Sequence, residues 1–543
     1  MSIELPSRFK HTIISDGIRS ICLENPSKVA YKHGHKTRTY AELTQRMGSI
    51  SGIISSSDIP LRSNIAIVAS NSIEYMEIVL ASSQLGHPIA TVNPKLTATE
   101  IVSICEDAEA KLIFVDEKVS SLLKETEIKG IKRIIDIDNE MEDLVDQIDY
   151  QEEIPTVKET ETFTIPYTSG TTGKPKGVVH THGGFSVFAG HQASYLINMG
   201  KEDRLFWPAD IGWITGLVWN VYGLLLVGSS AVIYDGALDF PNPNRVWEIL
   251  SKYQATIFGI SPTAVRLFKK INSNPRNKYS LDSLQNIPTT GEPLDEDSWW
   301  WLFENVGNKK IPIMNLSGGT EIGGAMLSVF PGMKLKPSTV GIPVPGMNLD
   351  VVNDDGESVT GQNGYLVIKS PWPGMTRGLL NDDQRYIETY WSKFENIWFH
   401  GDYVLKDEDN LWYMQGRTDD VINVSGHRMS TAEIEHTVIS HKKISDAASI
   451  AIPDEITGEA IVVFFVAENK DEVNLENEIM EHISKKIGKI AKPRLIIQLT
   501  DLPKTRTGKI MRRLLKSKIM GKPLGDLSSL ENPHILNEIQ KIN

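Results

Sequence analysis

The stretch YTSGTTGKPKG, residues 167–177, is built almost entirely from small and polar residues. It holds three glycines, two lysines and, besides Tyr167, four hydroxyl side chains from Thr and Ser. Glycines let backbone N–H groups turn toward a ligand, and hydroxyls and lysines add donors, which is the chemistry of a phosphate-binding loop. A Walker A loop is excluded, because only two residues separate Gly170 from the Gly173-Lys174 pair and Pro175 follows where Ser or Thr should bind magnesium. A flexible linker would explain the small residues but not two lysines around a proline.

Composition limits the class of protein and partner. The 543 residues are 40% hydrophobic and 23% charged, as in an ordinary globular protein of several domains. A net charge of −13 argues against a nucleic-acid partner, since such binding depends on clustered Lys and Arg. Cys22 and Cys105 lack CxxC spacing, so we expect no disulfide framework or zinc site. The N-terminal residues contain no apolar segment typical of a secretory signal, and a cytoplasmic location is expected.

Residues 211–234 carry no charge and are long enough to span a bilayer. Glycines at 212, 216 and 223 interrupt them, Asp210 and Asp235 flank them, and no Lys or Arg anchors adjoin them. We therefore predict a buried helix followed by the strand AVIY (231–234), and no membrane partner.

The alternation of apolar runs and amphipathic segments predicts an α/β fold. Runs such as NIAIVAS (64–70), KLIFVD (111–116) and ATIFGIS (255–261) are typical of buried parallel strands, and NRVWEILSKY (244–253) has helical spacing. After about residue 340 the pattern indicates antiparallel strands joined by Asn, Asp and Gly turns. From about residue 418 a mixed pattern follows, in which HRMSTAEIEHTVISH (427–441) is predicted as a helix and AIVVFFVAEN (460–469) as a strand. We predict a large N-terminal domain, residues 1–418, of α/β subdomains plus a β-rich subdomain, and a small mobile α+β C-terminal domain, residues 419–543.

Five further motifs accompany the loop: GEP (291–293), SGGTEIGG (317–324), HGDYV (400–404), GRTDDVINVSGHR (416–428) and LPKTRTGKIMRR (502–513). In this order they resemble the signature of the adenylate-forming superfamily, which includes acyl-CoA synthetases, adenylation domains of peptide synthetases and firefly luciferase. ADIGWITG (209–216) and VSGHRMSTAEIEHTVISH (424–441) are most similar to the acetyl-CoA synthetase branch. The resemblance implies that ATP and a carboxylic acid give an acyl-adenylate and pyrophosphate, and that the acyl group then passes to coenzyme A.

The resemblance also implies a nucleotide site in the N-terminal domain. The phosphates of ATP would be held by Thr168, Ser169, Gly170, Thr171, Thr172, Gly173 and Lys174. Adenine would be lined by Gly291, Glu292 and Pro293, with Asn315, Leu316, Ser317, Gly318, Gly319 and Thr320 beside it. Asp402 would accept from both ribose hydroxyls, as an ionised carboxylate can. Arg417 would lie beside the ribose, Arg428 would reach a phosphate, and Glu321 would lie near the bridging Mg²⁺.

Lys509 is implied to be a catalytic residue, together with Glu321 and Thr168. An ammonium on a flexible stem can reach between the substrate carboxylate and the α-phosphate. The alternative is a surface lysine in a basic tail. The C-terminal domain is expected to rotate about Asp419, at the family's hinge position, and to withdraw Lys509 before thioester formation.

Coenzyme A and a second cation have implied sites as well. Trp213, Thr215, Ser425 and Gly426 would line the path of the thiol. The acetyl-CoA synthetase branch has a cation site made of backbone oxygens, which falls on Ile439, His441 and Ile444. The sequence does not indicate how the 3′-phosphate of coenzyme A is held.

The acyl pocket is implied to contain Ile214, Thr215, Thr290 and Gly318. Acetate-specific enzymes have a tryptophan where this chain has Gly318, so we expect room for an acid of about three to five carbons. The segments SGGT (317–320), WPGMTRG (372–378) and NDDQRYIETYW (381–391) are similar to ligases for acetoacetate and 4-hydroxybutyrate. We therefore favour 4-hydroxybutyrate or butyrate. The alternative is that Gly318 only permits a close backbone contact and another side chain refills the space.

Other functions stay open from the sequence. The chain could act on acetate, propionate, acetoacetate or 3-hydroxypropionate, load a carrier protein, or be a degenerate nucleotide-binding protein used for regulation. The carboxylic acid, ATP and coenzyme A are the expected small-molecule partners, and formation of a homo-oligomer is left open.

Overall fold

The computed structural model describes residues 12–148, 154–168, 175–271, 274–418, 421–424, 427–455, 457–469, 475–505, 509–525, 527 and 530–540. The residues singled out above that lie outside this description are Ser169, Gly170, Thr171, Thr172, Gly173, Lys174, Asp419, Ser425, Gly426 and the side chain of Arg428.

The part of the chain up to residue 418 alternates helices with strands. Its helices are α1 (Ile14–Glu24), α2 (Tyr40–Ser55), α3 (Ile73–Leu85), α4 (Ala98–Asp107), α5 (Glu117–Leu123), α6 (Met141–Gln147), α7 (His182–Tyr195), α8 (Leu224–Val227), α9 (Arg245–Tyr253), α10 (Pro262–Lys270), α11 (Glu296–Trp301) and α12 (Asp383–Tyr390). Two π-helical segments are Gly216–Gly223 and Leu302–Val306, and Pro275–Asn277 is 3₁₀.

The strands of this part are β1 (Val29–His33), β2 (Lys36–Thr39), β3 (Ile65–Val68), β4 (Ile89–Thr91), β5 (Leu112–Val115), β6 (Arg133–Asp136), β7 (Thr162–Thr168), β8 (Lys176–Gly177), β9 (His180–Thr181), β10 (Arg204–Phe206), β11 (Ser230–Val232), β12 (Ile257–Phe258), β13 (Ile287–Thr289), β14 (Ile313–Gly319), β15 (Gly324–Ser328), β16 (Ile342–Pro343), β17 (Leu349–Val352), β18 (Asn363–Ile368), β19 (Trp398–Lys406) and β20 (Trp412–Arg417).

The main sheet has the order β6-β5-β3-β4-β7-β8, and β9 also pairs with β7. Its strands β3 to β7 run parallel, as predicted. Successive residues of β3 show why its sequence is continuously apolar. Ile65 and Ile67 join the core that contains α2 and α3, whereas Ala66 and Val68 join a second core under α4 and α5. A strand buried on both faces needs apolar residues at every position.

A second sheet of order β12-β10-β11-β1-β2 is also mostly parallel. The uncharged stretch 211–234, which follows β10 and includes β11, is largely buried inside the protein. Its π-helical segment Gly216–Gly223 and α8 are buried and lead into β11, which confirms the predicted helix and strand, although β11 is Ser230–Val232. In the part of the chain that the structure describes, no helix combines the length and apolarity needed to cross a bilayer.

Two further sheets follow, β13-β14-β15-β16 and β17-β18-β19-β20. The first begins with a parallel pair and continues antiparallel, and the second is antiparallel throughout. The predicted change to antiparallel structure after residue 340 is therefore confirmed. Their strands β14 and β19 carry most of the candidate site.

The C-terminal part has helices α13 (Thr431–Ile439), α14 (Glu476–Lys486) and α15 (Arg512–Ile519), with strands β21 (Ile422–Val424), β22 (His427–Met429), β23 (Ile444–Asp454), β24 (Gly458–Ala467) and β25 (Leu495–Gln498). Short 3₁₀ segments are Lys489–Ala491 and Pro533–Asn537. Alternate residues of β23 and β24 face two separate cores, so the sheet is covered on both sides. This part has its own hydrophobic cores, as an α+β unit requires.

The prediction that residues 427–441 form one helix is wrong at its start. His427–Met429 is a strand paired with β21, and α13 begins at Thr431. The Ser430 hydroxyl accepts a hydrogen bond from the Glu433 amide, so a serine N-cap sets the beginning of the helix.

Candidate active site

The candidate site lies where β7, β8, β14 and β19 end or turn. Thr168 is the last residue of β7 and lies opposite Lys176 of β8 in the antiparallel pair. The hydroxyl of Thr168 is buried, and none of the described residues provides it with a hydrogen-bond partner. Both residues therefore flank segment 169–174, the centre of the predicted phosphate loop.

Glu321, two residues beyond β14, is held by two side chains that the sequence analysis did not assign. Lys176 Nζ lies 2.6 Å from Glu321 Oε1, and the Tyr390 hydroxyl donates to the same oxygen at 2.7 Å. Lys176 also donates to the Tyr390 hydroxyl at 2.7 Å, which closes a ring of three groups. Burial by itself would raise the pKa of Glu321, but the Lys176 ammonium and the Tyr390 hydroxyl outweigh it and lower that pKa to about 2. Glu321 is therefore ionised at neutral pH.

Trp398 and His400 pack next to the Lys176–Glu321–Tyr390 cluster. The Tyr390 ring stacks on Trp398 with centroids 4.3 Å apart and an interplanar angle of 6°. Trp398 Nε1 donates to His400 Nδ1 at 3.3 Å. Burial lowers the pKa of His400, with the carboxylate of Asp402 acting in the opposite direction. A neutral imidazole therefore faces the site.

Gly319 lies between His400 and Glu321. A Cβ at this position would be 3.2 Å from two atoms of the His400 ring and 3.7 Å from Glu321 Oε2. Oε2, the second oxygen of Glu321, therefore lies beside the end of β14. The predicted residue Thr320 is buried, and its carbonyl accepts from His180 Nε2 at 2.8 Å.

The structure brings the predicted ribose residues Asp402 and Arg417 together. They face each other in the register of β19 and β20, and Arg417 Nη1 lies 3.4 Å from Asp402 Oδ1. His400 Nε2 lies 3.6 Å from Asp402 Oδ2. Arg417 also donates to the His400 carbonyl at 3.0 Å. Asp402 is thus a buried carboxylate aligned by neighbours on both sides.

Gly401 gives Arg417 its place beside Asp402. Its φ is +87°, and a Cβ there would lie 2.4 Å from Arg417 Nη2. We expect Gly401→Ala to push the guanidinium away from Asp402 and to weaken AMP binding about tenfold, which equals about 1.4 kcal/mol. The dissociation constant of AMP, measured by calorimetry, checks this.

Gly332→Ala is the matched control for that substitution. Gly332 also has a positive φ, +83°, but a Cβ there would meet no atom within 4 Å. Both variants carry left-handed backbone strain of about 1–2 kcal/mol, and only Gly401→Ala also displaces a side chain. Equal AMP affinities in the two variants would contradict the assignment of Arg417 to the nucleotide.

The predicted adenine segment is anchored from α10. The Glu292 carboxylate is bound by the Thr263 hydroxyl and lies 2.8 Å from Arg266 Nη2. Burial opposes the charge of Arg266, but Glu292 and then Asp446 and Asp295 raise its pKa. Asp446 belongs to β23, so the C-terminal part approaches the adenine segment here. Gly291 has a φ of +111°, which only glycine adopts readily, and Pro293 follows Glu292.

The remaining residues of the predicted adenine pocket lie along β14. Asn315 is buried and donates to the Thr339 carbonyl at 2.9 Å, and Leu316 is buried in the main core. Ser317 is half-buried at the point where the register of β14 and β15 shifts.

The predicted acyl-pocket residues come from two elements. Trp213, Ile214 and Thr215 are half-buried and directly precede the π-helical segment, and Thr290 is half-buried just after β13. Gly318 differs from the expectation of an emptied pocket. It pairs with Ala325, and a Cβ at 318 would lie 1.9 Å from the Gly324 carbonyl oxygen. This glycine permits the close backbone contact between β14 and β15 that the alternative interpretation included.

The predicted second cation site is a turn between α13 and β23. The Ile444 amide donates to the His441 carbonyl at 2.9 Å, so that oxygen already has one partner. Ile439 borders a cavity of about 280 Å³, whose lining also includes Asp295, Asp297, His436, Ser440 and Lys486. Among the described residues, no group of three or more His, Cys, Asp or Glu side chains could hold a metal ion. Backbone ligation at this turn stays a prediction.

Lys509 lies on a turn of the C-terminal part and is exposed. Its carbonyl accepts from the Thr505 amide at 2.8 Å, and its amide donates to the Thr505 hydroxyl at 3.1 Å. These bonds fix the backbone of the turn and involve no atom of the lysine side chain.

Comparison with known proteins agrees with this architecture. A family profile described as AMP-binding enzyme matches residues 19–380, and one described as AMP-binding enzyme C-terminal domain matches residues 433–509. Acetyl-coenzyme A synthetase of Pyrobaculum aerophilum is 44% identical over 401 residues, covering 72% of this chain and 59% of that protein. The chain thus spans less than two thirds of the length of this relative. Acetyl-coenzyme A synthetase of Methanothrix thermoacetophila is 34% identical over 538 residues, covering 93% of this chain and 82% of that protein.

Two solved structures share the fold. Acetoacetyl-CoA synthetase from Streptomyces lividans superimposes with a TM-score of 0.87 at 23% identity, covering 96% of this chain and 85% of that one. An anthranilate CoA ligase in complex with anthranoyl-AMP gives a TM-score of 0.86 at 23% identity, covering 94% and 98%. The fold therefore has a large N-terminal and a small C-terminal domain, and the chain belongs to the family of AMP-binding enzymes.

Proposed function

We propose that the protein is an AMP-forming acid–thiol ligase. ATP and a carboxylic acid give an acyl-adenylate and pyrophosphate, and the thiol of coenzyme A then displaces AMP to give the acyl-CoA. One observation carries this proposal: Thr168 and Lys176, which flank segment 169–174 in the sequence, lie opposite each other, Lys176 pairs with Glu321, and Asp402 pairs with Arg417 nearby.

The chemistry of adenylation fits these groups. Negative charge moves onto the leaving pyrophosphate, and donors already in position lower the barrier because they need no reorganisation. Thr168, Lys174 and the loop amides would supply such donors, while Asp402 and Arg417 would orient the ribose. Relatives named acetyl-coenzyme A synthetase support coenzyme A as the acceptor.

Magnesium fits the donor set at Glu321. A buried, ionised carboxylate whose described side-chain partners contact only Oε1 is a hard ligand of the kind Mg²⁺ takes together with substrate phosphates. When bound, the ion would neutralise charge on the phosphates. Glu321 is the residue that would hold it.

The two reactions need two arrangements of the C-terminal domain. We assign residues 1–418 to the domain that holds ATP, the acid and coenzyme A, and residues 419–543 to a mobile domain that carries Lys509. Asp419 is the proposed hinge, and Ser425 and Gly426 would line the thiol path together with Trp213 and Thr215 in the second arrangement.

We propose a short-chain acid as the substrate, with 4-hydroxybutyrate or butyrate favoured. Thr215 and Thr290 are half-buried residues, and they support 4-hydroxybutyrate in particular because their hydroxyls could pair with a polar group at the far end of the acid. Because Gly318 closely approaches the Gly324 backbone, the absence of a tryptophan at residue 318 no longer supports a larger acyl pocket. The proposed preference for a four-carbon acid therefore rests on Thr215 and Thr290. AMP release over a panel of C2 to C8 acids and their hydroxy and keto derivatives, with and without coenzyme A, tests both the acid and the acceptor.

Thr290→Val tests the role of the hydroxyl in choosing the acid. The substitution keeps the shape of the side chain and removes one hydrogen bond, which contributes about 0.5–1.5 kcal/mol. We expect kcat/KM for 4-hydroxybutyrate to fall about five- to tenfold relative to butyrate.

Thr289→Val is the matched control. Thr289 is fully buried, and no described residue pairs with its hydroxyl. Neighbouring residues of an extended segment point to opposite sides, so this substitution should leave the ratio of the two acids unchanged. The same change of ratio in both variants would contradict the pocket assignment of Thr290.

A further inference from the structure

We propose that Tyr390 is a positioning residue for adenylation. With Lys176, it holds one oxygen of Glu321 so that the other oxygen faces the metal ion and the phosphates of ATP. This inference rests on the proposed role of Glu321 at the phosphates.

The hydrogen bonds among Lys176, Tyr390 and Glu321 fix the direction in which the Tyr390 hydroxyl donates its proton. A phenol has one proton, and here it is donated to Glu321 Oε1. The oxygen lone pairs accept from Lys176, whose ammonium also contacts Glu321 Oε1. Oε1 therefore receives two donors, one charged and one neutral. A carboxylate fixed through one oxygen in this way cannot turn about its last bond without breaking both contacts.

The second oxygen of Glu321 lies near the end of β14. Oε2 faces Gly319, where even a Cβ would be 3.7 Å away. Within the described residues, no side chain donates a hydrogen bond to Oε2. The described side chains that bind Glu321 both contact Oε1, which leaves Oε2 as the oxygen that could take a cation.

The position of Tyr390 itself is rigid. The residue is buried, it is the last residue of α12, and its ring is stacked on Trp398. The Lys176 ammonium also lies 5.3 Å from the centroid of the Tyr390 ring. A hydroxyl fixed by a packed ring can define the direction of a carboxylate better than a flexible chain could.

The competing explanation is that Tyr390 is a core aromatic residue whose hydroxyl merely found a partner. The two explanations differ in what the hydroxyl alone does. Tyr390→Phe keeps the ring and its stacking and removes only the oxygen. A structural role predicts normal metal binding and catalysis in this variant, whereas a positioning role predicts defects in both.

Mn²⁺ binding gives a measurement that does not depend on turnover. The enzyme is saturated with the α,β-methylene analogue of ATP, which cannot be cleaved between its α- and β-phosphorus atoms, and free Mn²⁺ is followed by electron paramagnetic resonance. We expect Tyr390→Phe to raise the dissociation constant of Mn²⁺ about tenfold, at the lower end of the effect of losing a partner that orients a metal ligand. We also expect kcat of ATP–pyrophosphate exchange to fall about tenfold while KM for the acid changes less than about twofold.

Tyr386→Phe is the matched control. Tyr386 lies one turn earlier on α12, and its ring contacts the same Trp398 at 5.9 Å between centroids. The substitution removes a hydroxyl from the same aromatic group but none from Glu321. It should retain the Mn²⁺ affinity and kcat of the parent.

Glu321→Gln distinguishes a failure of the proposed metal-binding role of Glu321 from a failure of the proposed positioning role of Tyr390. If Glu321→Gln binds Mn²⁺ like the parent, the proposed role of Glu321 is wrong. If Glu321→Gln weakens Mn²⁺ binding but Tyr390→Phe leaves it unchanged or tightens it, only the inference about Tyr390 is overturned. An unfolded Tyr390→Phe variant would also overturn it, because positioning through the hydroxyl predicts a folded protein.

Discussion

Replacement of Lys509 by alanine is expected to slow acyl-adenylate formation by a factor of about 10²–10³ and to leave thioester formation from supplied acyl-adenylate largely intact. In the proposed reaction the ammonium lies between the substrate carboxylate and the α-phosphate, where negative charge concentrates during the first step only. Loss of one such donor costs about 3–4 kcal/mol, a factor of about 10²–10³ in rate. After rotation about Asp419 the lysine would be withdrawn, so the second step does not need it.

Two main-chain contacts of Lys509 do not depend on its side chain. The Lys509 residue is exposed, and the turn is held by main-chain atoms of Lys509 together with Thr505, which alanine would retain. Pyrophosphate exchange reports the first half-reaction, and acyl-CoA formation from synthetic acyl-adenylate reports the second.

Lys522→Ala is the control for the alternative that Lys509 is an ordinary surface lysine. Lys522 is exposed in the same basic segment and follows α15. It should behave like the parent in both half-reactions. Equal losses in the two half-reactions of Lys509→Ala, or no loss beyond that of Lys522→Ala, would refute the assignment.

The local pattern of the sequence predicted most of the fold because each element is specified by nearby residues. The continuous apolar run at 65–68 requires a strand with cores on both faces, and the structure provides them. The failure at His427–Met429 has a local cause too. Three residues are too few to show a period of two, and the serine N-cap that follows them is the stronger signal.

Only those site residues that lie in a recognisable sequence motif could be predicted to meet in the fold. Asp402 and Arg417 meet because both lie in quoted motifs on neighbouring strands. Lys176 and Tyr390 are 214 residues apart, and no local pattern indicates that they touch. Lys176 lies in the glycine-rich loop 167–177, and Tyr390 lies in the segment 381–391. Neither sequence segment indicates the partner of the other, so their shared role could not be predicted. Arg266 of α10 had no motif at all.

Gly318 shows why a missing side chain is ambiguous in a sequence. A glycine in place of tryptophan indicates either an emptied pocket or a backbone that approaches closely. The position of the paired strand supports the second interpretation, because the Gly324 carbonyl oxygen lies 1.9 Å from where a Cβ at residue 318 would be. Preference for a four-carbon acid therefore has to be tested at Thr215 and Thr290.

Lys176→Met is expected to have the second large effect, on stability as well as on adenylation. The substitution leaves Glu321 buried with one neutral donor, Tyr390, and no cation. Breaking a buried ion pair by removing one partner costs about 3–5 kcal/mol. Adenylation should fall with it, because the carboxylate loses half of what fixes its orientation.

The pKa of Glu321 determines how the stability difference between the parent and Lys176→Met changes with pH. In the parent, the pKa of Glu321 is about 2 against an ordinary value of 4.5, so its contribution to stability is present above pH 4.5 and is lost as the pH falls toward 2. In Lys176→Met, burial is no longer outweighed, and we expect the pKa of Glu321 to rise above 4.5. Ionised Glu321 then destabilises the variant as the pH rises through that higher pKa.

The free energies of unfolding of the parent and Lys176→Met should therefore differ most near neutral pH and converge as the pH is lowered. Urea unfolding between about pH 5 and pH 8, without nucleotide or metal ion, measures that difference. Lys176→Met combined with Glu321→Gln should recover most of the lost stability, because an amide needs no counter-charge. A single variant that loses less than about 1 kcal/mol and shows the same pH dependence as the parent would mean that the ion pair does not hold Glu321 ionised.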